Sequence, residues 1–210
     1  MLTSPTKLFL PLASLLLQGS TTSACEVWSG VTHTFYGYPD NDPPGPAISQ
    51  DCGRGFTAGG IGTFSDPLTM ATAPGELENC EIVYVPFLKK YLRNEDYCAQ
   101  CVVDWQSGLR HIDVWTGEST VNGGEDQINC EKQLTTGKSI YTIIRSPRED
   151  LEVDCESFFL FFFFFFSCLL VFLWLMDYLY TANPIYTPGS YGQTCHADRV
   201  YPGYDSQQFC

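Results

Sequence analysis

The chain has 210 residues and a formal net charge of −13, from 24 acidic and 11 basic side chains. Such a surface repels phosphate backbones and anionic headgroups, so nucleic acid and membrane surfaces are poor partners, whereas neutral polymers remain open. The length suits one domain with a real core, and no Asn-x-Ser/Thr acceptor for N-glycosylation occurs.

The chain opens with Lys7, the apolar run Leu8 to Leu17, and a small polar stretch ending Thr22-Ser23-Ala24. This three-part pattern predicts a secretory signal peptide at residues 1–24 and a mature protein beginning at Cys25, because the run is too short to span a bilayer. Export in turn explains the ten cysteines. In an oxidising compartment these read as a disulfide framework, expected to use Cys25, Cys52, Cys80, Cys98, Cys101, Cys130, Cys195 and Cys210. The Cys98-Ala-Gln-Cys101 spacing alone suits a redox or zinc site. With only three histidines, no second CxxC and no βαβ pattern around it, structural bridging is the better account, and neither metal nor cofactor is expected.

Residues 25–154 form the expected domain. From 33 to 75 the chain is dense in Gly and Pro, which excludes long helices there. Strand-like runs follow at Glu81 to Val85, Cys101 to Trp105, His111 to Trp115 and Ser139 to Arg145, each short, rich in β-branched or aromatic residues and bounded by turn residues. Pro86 to Arg93, with Leu88 and Leu92 four apart, predicts the one short helix. The segment Gln106-Ser-Gly-Leu-Arg110 predicts a hairpin loop that brings Asp104 and Trp105 close to the next strand. The strand period of two then places His111, Asp113 and Trp115 on one face and Ile112 and Val114 on the other. A carboxylate between rings on a rigid strand suits a general acid, and aromatic residues beside carboxylates suit a sugar platform.

Residues 155–182 interrupt this pattern. Phe158 to Met176 is an uncharged run containing six consecutive Phe at 161–166. It is long enough to cross a membrane, but Phe repeats are poor helix formers and no basic cluster follows. Cys-Glu-Ser at 155–157 can be encoded by codons that contain a splice donor, a Phe run by a pyrimidine tract, and Thr181-Ala182 by codons that contain an acceptor. A translated intron is therefore the first reading, a membrane anchor the second and a buried apolar helix the third. Residues 183–210 are a Tyr-, Pro- and Gly-rich tail that carries the last two cysteines.

Thr34-Phe-Tyr-Gly37, the glycines that follow, the Cys98-x-x-Cys101 pair and His111-Ile-Asp113, in that order, resemble the double-psi β-barrel of expansins, barwin-like proteins and family 45 endoglucanases. The stretches Ala58 to Ala71, Pro86 to Arg93 and Glu95 to Cys98 also look like secreted fungal proteins of that group. The resemblance implies a mainly β fold: a six-stranded, disulfide-stapled double-psi barrel with short helices. It implies that Asp113 is the conserved acid, and that Tyr36, Asp40, Trp105, His111 and Trp115 line a polysaccharide groove. The chain departs from the hydrolases after Tyr36, where Gly37 and Tyr38 follow and Asp40 comes only after Pro39, so no residue matches the catalytic base. The expectation is a secreted monomer that binds cell-wall polysaccharide (glucan, cellulose or chitin) without hydrolysis. A glycoside hydrolase using Asp113 with Asp40 or Asp42, and an effector that binds a host protein, are the rivals.

Overall fold

A computed structural model describes residues 24–137, 139–154 and 195–210. The signal peptide expected at 1–24, Ala24 apart, and the apolar segment at 155–182 lie outside the described residues.

The fold is mainly β. Six strands, β1 (Glu26–Tyr38), β2 (Leu68–Thr72), β3 (Ile82–Val85), β4 (Lys90–Tyr97), β5 (Arg110–Glu118) and β6 (Ser139–Arg145), hydrogen-bond in the order β1-β5-β2-β4-β3-β6. β6 pairs back onto β1, so the sheet closes on itself as a barrel and leaves no edge strand. Two of the pairs, β1 with β5 and β2 with β4, are parallel, and the other four are antiparallel. The helices are few and short: α1 (Ala99–Gln106) and α2 (Glu125–Leu134).

Alternation along the strands separates two faces. Val31 and Phe35 of β1, Ile112 and Val114 of β5, and Leu92 and Ile143 from across the barrel share the main core. On the other side of the sheet, α1 packs through Cys98 and Cys101 on Ala71 and Ala73, while Tyr84, Tyr91 and Ile144 form a separate cluster under Leu151 and Phe209. All eight expected cysteines are paired: Cys25–Cys210, Cys52–Cys80, Cys98–Cys101 and Cys130–Cys195. Each such link typically adds about 2–4 kcal/mol, chiefly by restricting the unfolded chain. Two of them fasten the C-terminal segment to the barrel. There Tyr201 N donates to Phe87 O, Thr142 N donates to the Tyr204 hydroxyl, and Arg199 lies 3.7 Å from Asp154.

Three local expectations are corrected. Cys101 to Trp105 is helix rather than strand: Cys98 caps α1, its Sγ accepting the Cys101 N–H at 3.0 Å, and burial of Cys101 against β2 outweighs the β-branched composition. Gln106 to Arg110 is therefore a helix-to-strand turn, in which Gly108 and Leu109 N–H groups bond back to Trp105 O and Asp104 O. Pro86 to Arg93 is not a helix. Residues 86–89 turn between β3 and β4, with Lys89 at φ 49°, and Leu88 and Leu92 both reach the core, one from the turn and one from the strand. The sequence reading also missed α2, whose apolar signal is only Cys130 and Leu134 four apart, both buried.

Candidate functional site

The parallel register of β1 and β5 sets Thr32 beside His111, Thr34 beside Asp113 and Tyr36 beside Trp115. Odd residues of β5 and even residues of β1 thus lie on the outer face of the barrel, the face that α1 crosses. The Thr-x-Tyr and His-x-Asp-x-Trp patterns meet residue against residue.

The Thr34 hydroxyl donates to Asp113 Oδ1 at 2.7 Å, and its oxygen lies 2.9 Å from His111 Nε2. His111 Nδ1 in turn lies 2.7 Å from Asp104 Oδ2 on α1. The result is an unbroken chain, Asp104–His111–Thr34–Asp113. A hydroxyl has one hydrogen, so the chain has two consistent arrangements. When Asp113 is ionised, it accepts from Thr34 and both ring nitrogens carry protons. When Asp113 carries the proton, it donates to Thr34, Thr34 donates to Nε2, and only Nδ1 is protonated. The same proton sits at one end or the other. Burial is the main force on Asp113 and pushes its carboxyl up to about 6, against the pull of the Thr34 bond and the His111 charge and with a further push from Asp96.

Below this corner the backbone is pinned. Glu76, almost fully buried, accepts the His111 N–H at 2.8 Å and the Thr72 hydroxyl at 2.7 Å. Tyr36 extends the site to a second carboxylate, since its hydroxyl donates to Asp96 Oδ2 at 2.9 Å while Asp96 Oδ1 accepts Ser49 N–H and Tyr97 N–H. Burial, then Asp96, holds the Tyr36 phenol well above its usual range, so it stays a neutral donor.

The expected site residues divide into three groups. Asp113, Tyr36 and His111 come together as described. Trp115 touches Tyr36 edge-on, with centroids 5.3 Å apart, but is only 4 % exposed, so it supports the site from beneath and offers no open stacking face. His111 is likewise buried. Trp105 is 37 % exposed on α1, next to Asp104. Asp40 belongs elsewhere: it acts on Glu131 of α2, a buried carboxyl that also meets the Thr116 hydroxyl at 2.6 Å and whose pKa burial raises. Asp96 and Asp104 were the residues that sequence reasoning missed as site members. The signal for Asp104 was present, one helical turn past Cys101 and seven residues before His111, but it was read on a strand.

Cys98, Cys101 and His111 also bring potential metal donors within 4.8 Å of one another. Both sulfurs are bonded to each other, and a disulfide sulfur is not the thiolate that a metal binds. Among the described residues no helix is long and apolar enough to cross a membrane.

Fold and site together define a disulfide-stapled, closed six-stranded β protein with a carboxylate corner on its outer face. Residues 28–164 match the family model described as the DDB_G0273701 N-terminal domain, and the chain belongs to that family. It is similar to an uncharacterized protein of Dictyostelium discoideum, DDB_G0273701/DDB_G0273221, with 39% identity over 127 residues, covering 60% of this chain and 54% of the relative. The chain thus spans about half the length of the curated relative it matches. No solved structure matches it.

Proposed function

We propose that the protein is secreted and binds cell-wall polysaccharide without cleaving it, in an expansin-like manner, through the face centred on Asp113. The observation that carries this reading is the hydrogen-bonded anchoring of Asp113 by Thr34, with Tyr36 and Asp96 extending the same polar surface and Trp105 exposed on α1. Rigid acceptors beside an aromatic ring suit a neutral polyol, whose hydroxyls donate and whose C–H face covers the ring. The closed six-stranded sheet with two parallel pairs supports a double-psi arrangement. Four disulfides fit an oxidising destination.

Pull-down on insoluble glucan, cellulose and chitin tests the proposal. The wild-type protein is expected in the pellet fraction with at least one polymer, and Asp113→Ala lowers the bound fraction severalfold with an unchanged circular dichroism spectrum. A wild-type protein that stays in the supernatant with every polymer would sink the proposal.

One observation favours a second reading. A carboxyl pushed up to about 6 is suited to donate a proton at mildly acidic pH, and Asp96 is the second carboxylate whose charge it feels. Under this reading the face hydrolyses a glycosidic bond with Asp113 as acid. Release of reducing ends that disappears in Asp113→Asn would favour it.

A further inference from the structure

Next to the Tyr36–Asp96 bond lies a cavity of about 490 Å³, lined by Asp51, Asn79, Asn94, Asp96 and Tyr97 among others. Its lining is rich in hydrogen-bond acceptors and contains no Lys or Arg. Asn94 is only 3 % exposed, and its amide nitrogen is spent on Leu77 O and Glu78 O. Its Oδ1 has no hydrogen-bond partner among the described residues. A buried acceptor left unmet costs about 1–3 kcal/mol, so such an atom marks a place where a donor belongs. The Asp51 carboxyl is held low by N–H donation from Gly53 and Gly55, and therefore stays charged in mild acid. Tyr97, 54 % exposed, supplies an aromatic wall.

A bare divalent cation does not fit these facts. The cavity is many times the volume of an ion, and both oxygens of Asp96 already accept N–H or O–H donors. A donor-rich organic group with positive charge does fit. We infer that this cavity is a subsite for a sugar unit carrying an ammonium group, that is, a glucosamine unit of a cationic, partly deacetylated polysaccharide. The inference rests on the proposed polysaccharide-binding face, with which the cavity shares Asp96. The chain's charge of −13 favours the same partner.

Calorimetric titration with tetramers of glucosamine, N-acetylglucosamine and glucose, in low salt and mild acid, tests the inference. The glucosamine tetramer is expected to bind about tenfold more tightly than the other two. Asp51→Asn, which keeps an acceptor for Gly53 and Gly55, should weaken glucosamine binding about two- to fivefold and leave the glucose tetramer unchanged. Asn79→Ala, remote from the Tyr36 bond, should weaken the same ligand alone. Equal affinity for all three tetramers, indifference to Asp51→Asn, or calcium displacing the glucosamine tetramer at stoichiometric amounts would each overturn the subsite. Loss of every tetramer in Asp113→Ala with no effect of Asp51→Asn would leave the binding face standing and remove the cavity from it. The opposite pattern would keep the cavity and remove the face.

Discussion

Two histidines of paired strands have opposite fates. His33 faces the barrel interior, fully buried and stacked on Tyr141 with centroids 4.6 Å apart, and neither ring nitrogen has a partner. His111, across the β1–β5 pair, is almost as buried, yet both of its nitrogens are met, by Asp104 and Thr34. Burial alone therefore does not determine what a histidine does. The interior of the barrel admits only the neutral ring, whereas the outer face supplies the partners that let protons move.

The largest test of that contrast is acid. Burial, then the His111 charge, lowers the His33 pKa to about 3 from 6.5. Because the unfolded chain binds this proton first, the stability that neutral His33 allows is complete above pH 6.5 and is lost as pH falls toward 3. By pH 4 the loss comes to about 3 kcal/mol. His33→Leu should recover most of that at pH 4 and little at pH 7, as read by denaturant melts across the range. A pH dependence unchanged by the substitution would break the contrast.

Asp113 is linked to pH in the reverse sense. Its folded pKa, about 6, lies above the usual 3.8, so its contribution is fully present below pH 3.8 and is lost as pH rises through 6. Asp113→Asn is expected to stabilise the protein at pH 7 by about 1–3 kcal/mol and to have no effect near pH 3. The expected binding loss, together with this gain, would mark Asp113 as held at a cost to folding. A variant destabilised at pH 7 would mean that the carboxylate is structural.

The smallest effect falls on the link between the two strands. Thr34→Val keeps the side-chain shape but removes the hydroxyl that donates to Asp113, so the Asp113 pKa should rise further, by about one unit. Carboxyl carbon NMR titration measures this shift directly. An unmoved titration would show that the Asp104–His111–Thr34–Asp113 chain is not continuous in solution.

Much of this arrangement was legible in the sequence, and what was not failed for specific reasons. The period-two pattern at His111 to Trp115 gave the correct division of faces, because β-strand geometry admits no other. The cysteine set was readable from parity and export. Asp104 was lost because Val102, Val103 and Trp105 have strand-forming character, whereas capping by Cys98 and packing of Cys101 make the segment a helix. Asp96 and the cavity beside it were not readable, since they depend on the parallel pairing of β2 with β4, which no local pattern encodes. The burial of Trp115 likewise needs the neighbouring Tyr36.

The Cys25–Cys210 bond joins residues 185 apart in the chain, and Cys130–Cys195 makes a second crossing over the same interval. A protease that cut once anywhere between 155 and 194 would therefore release nothing. It would produce a two-chain molecule whose barrel and C-terminal segment remain covalently joined, and the two pieces would part only under reduction.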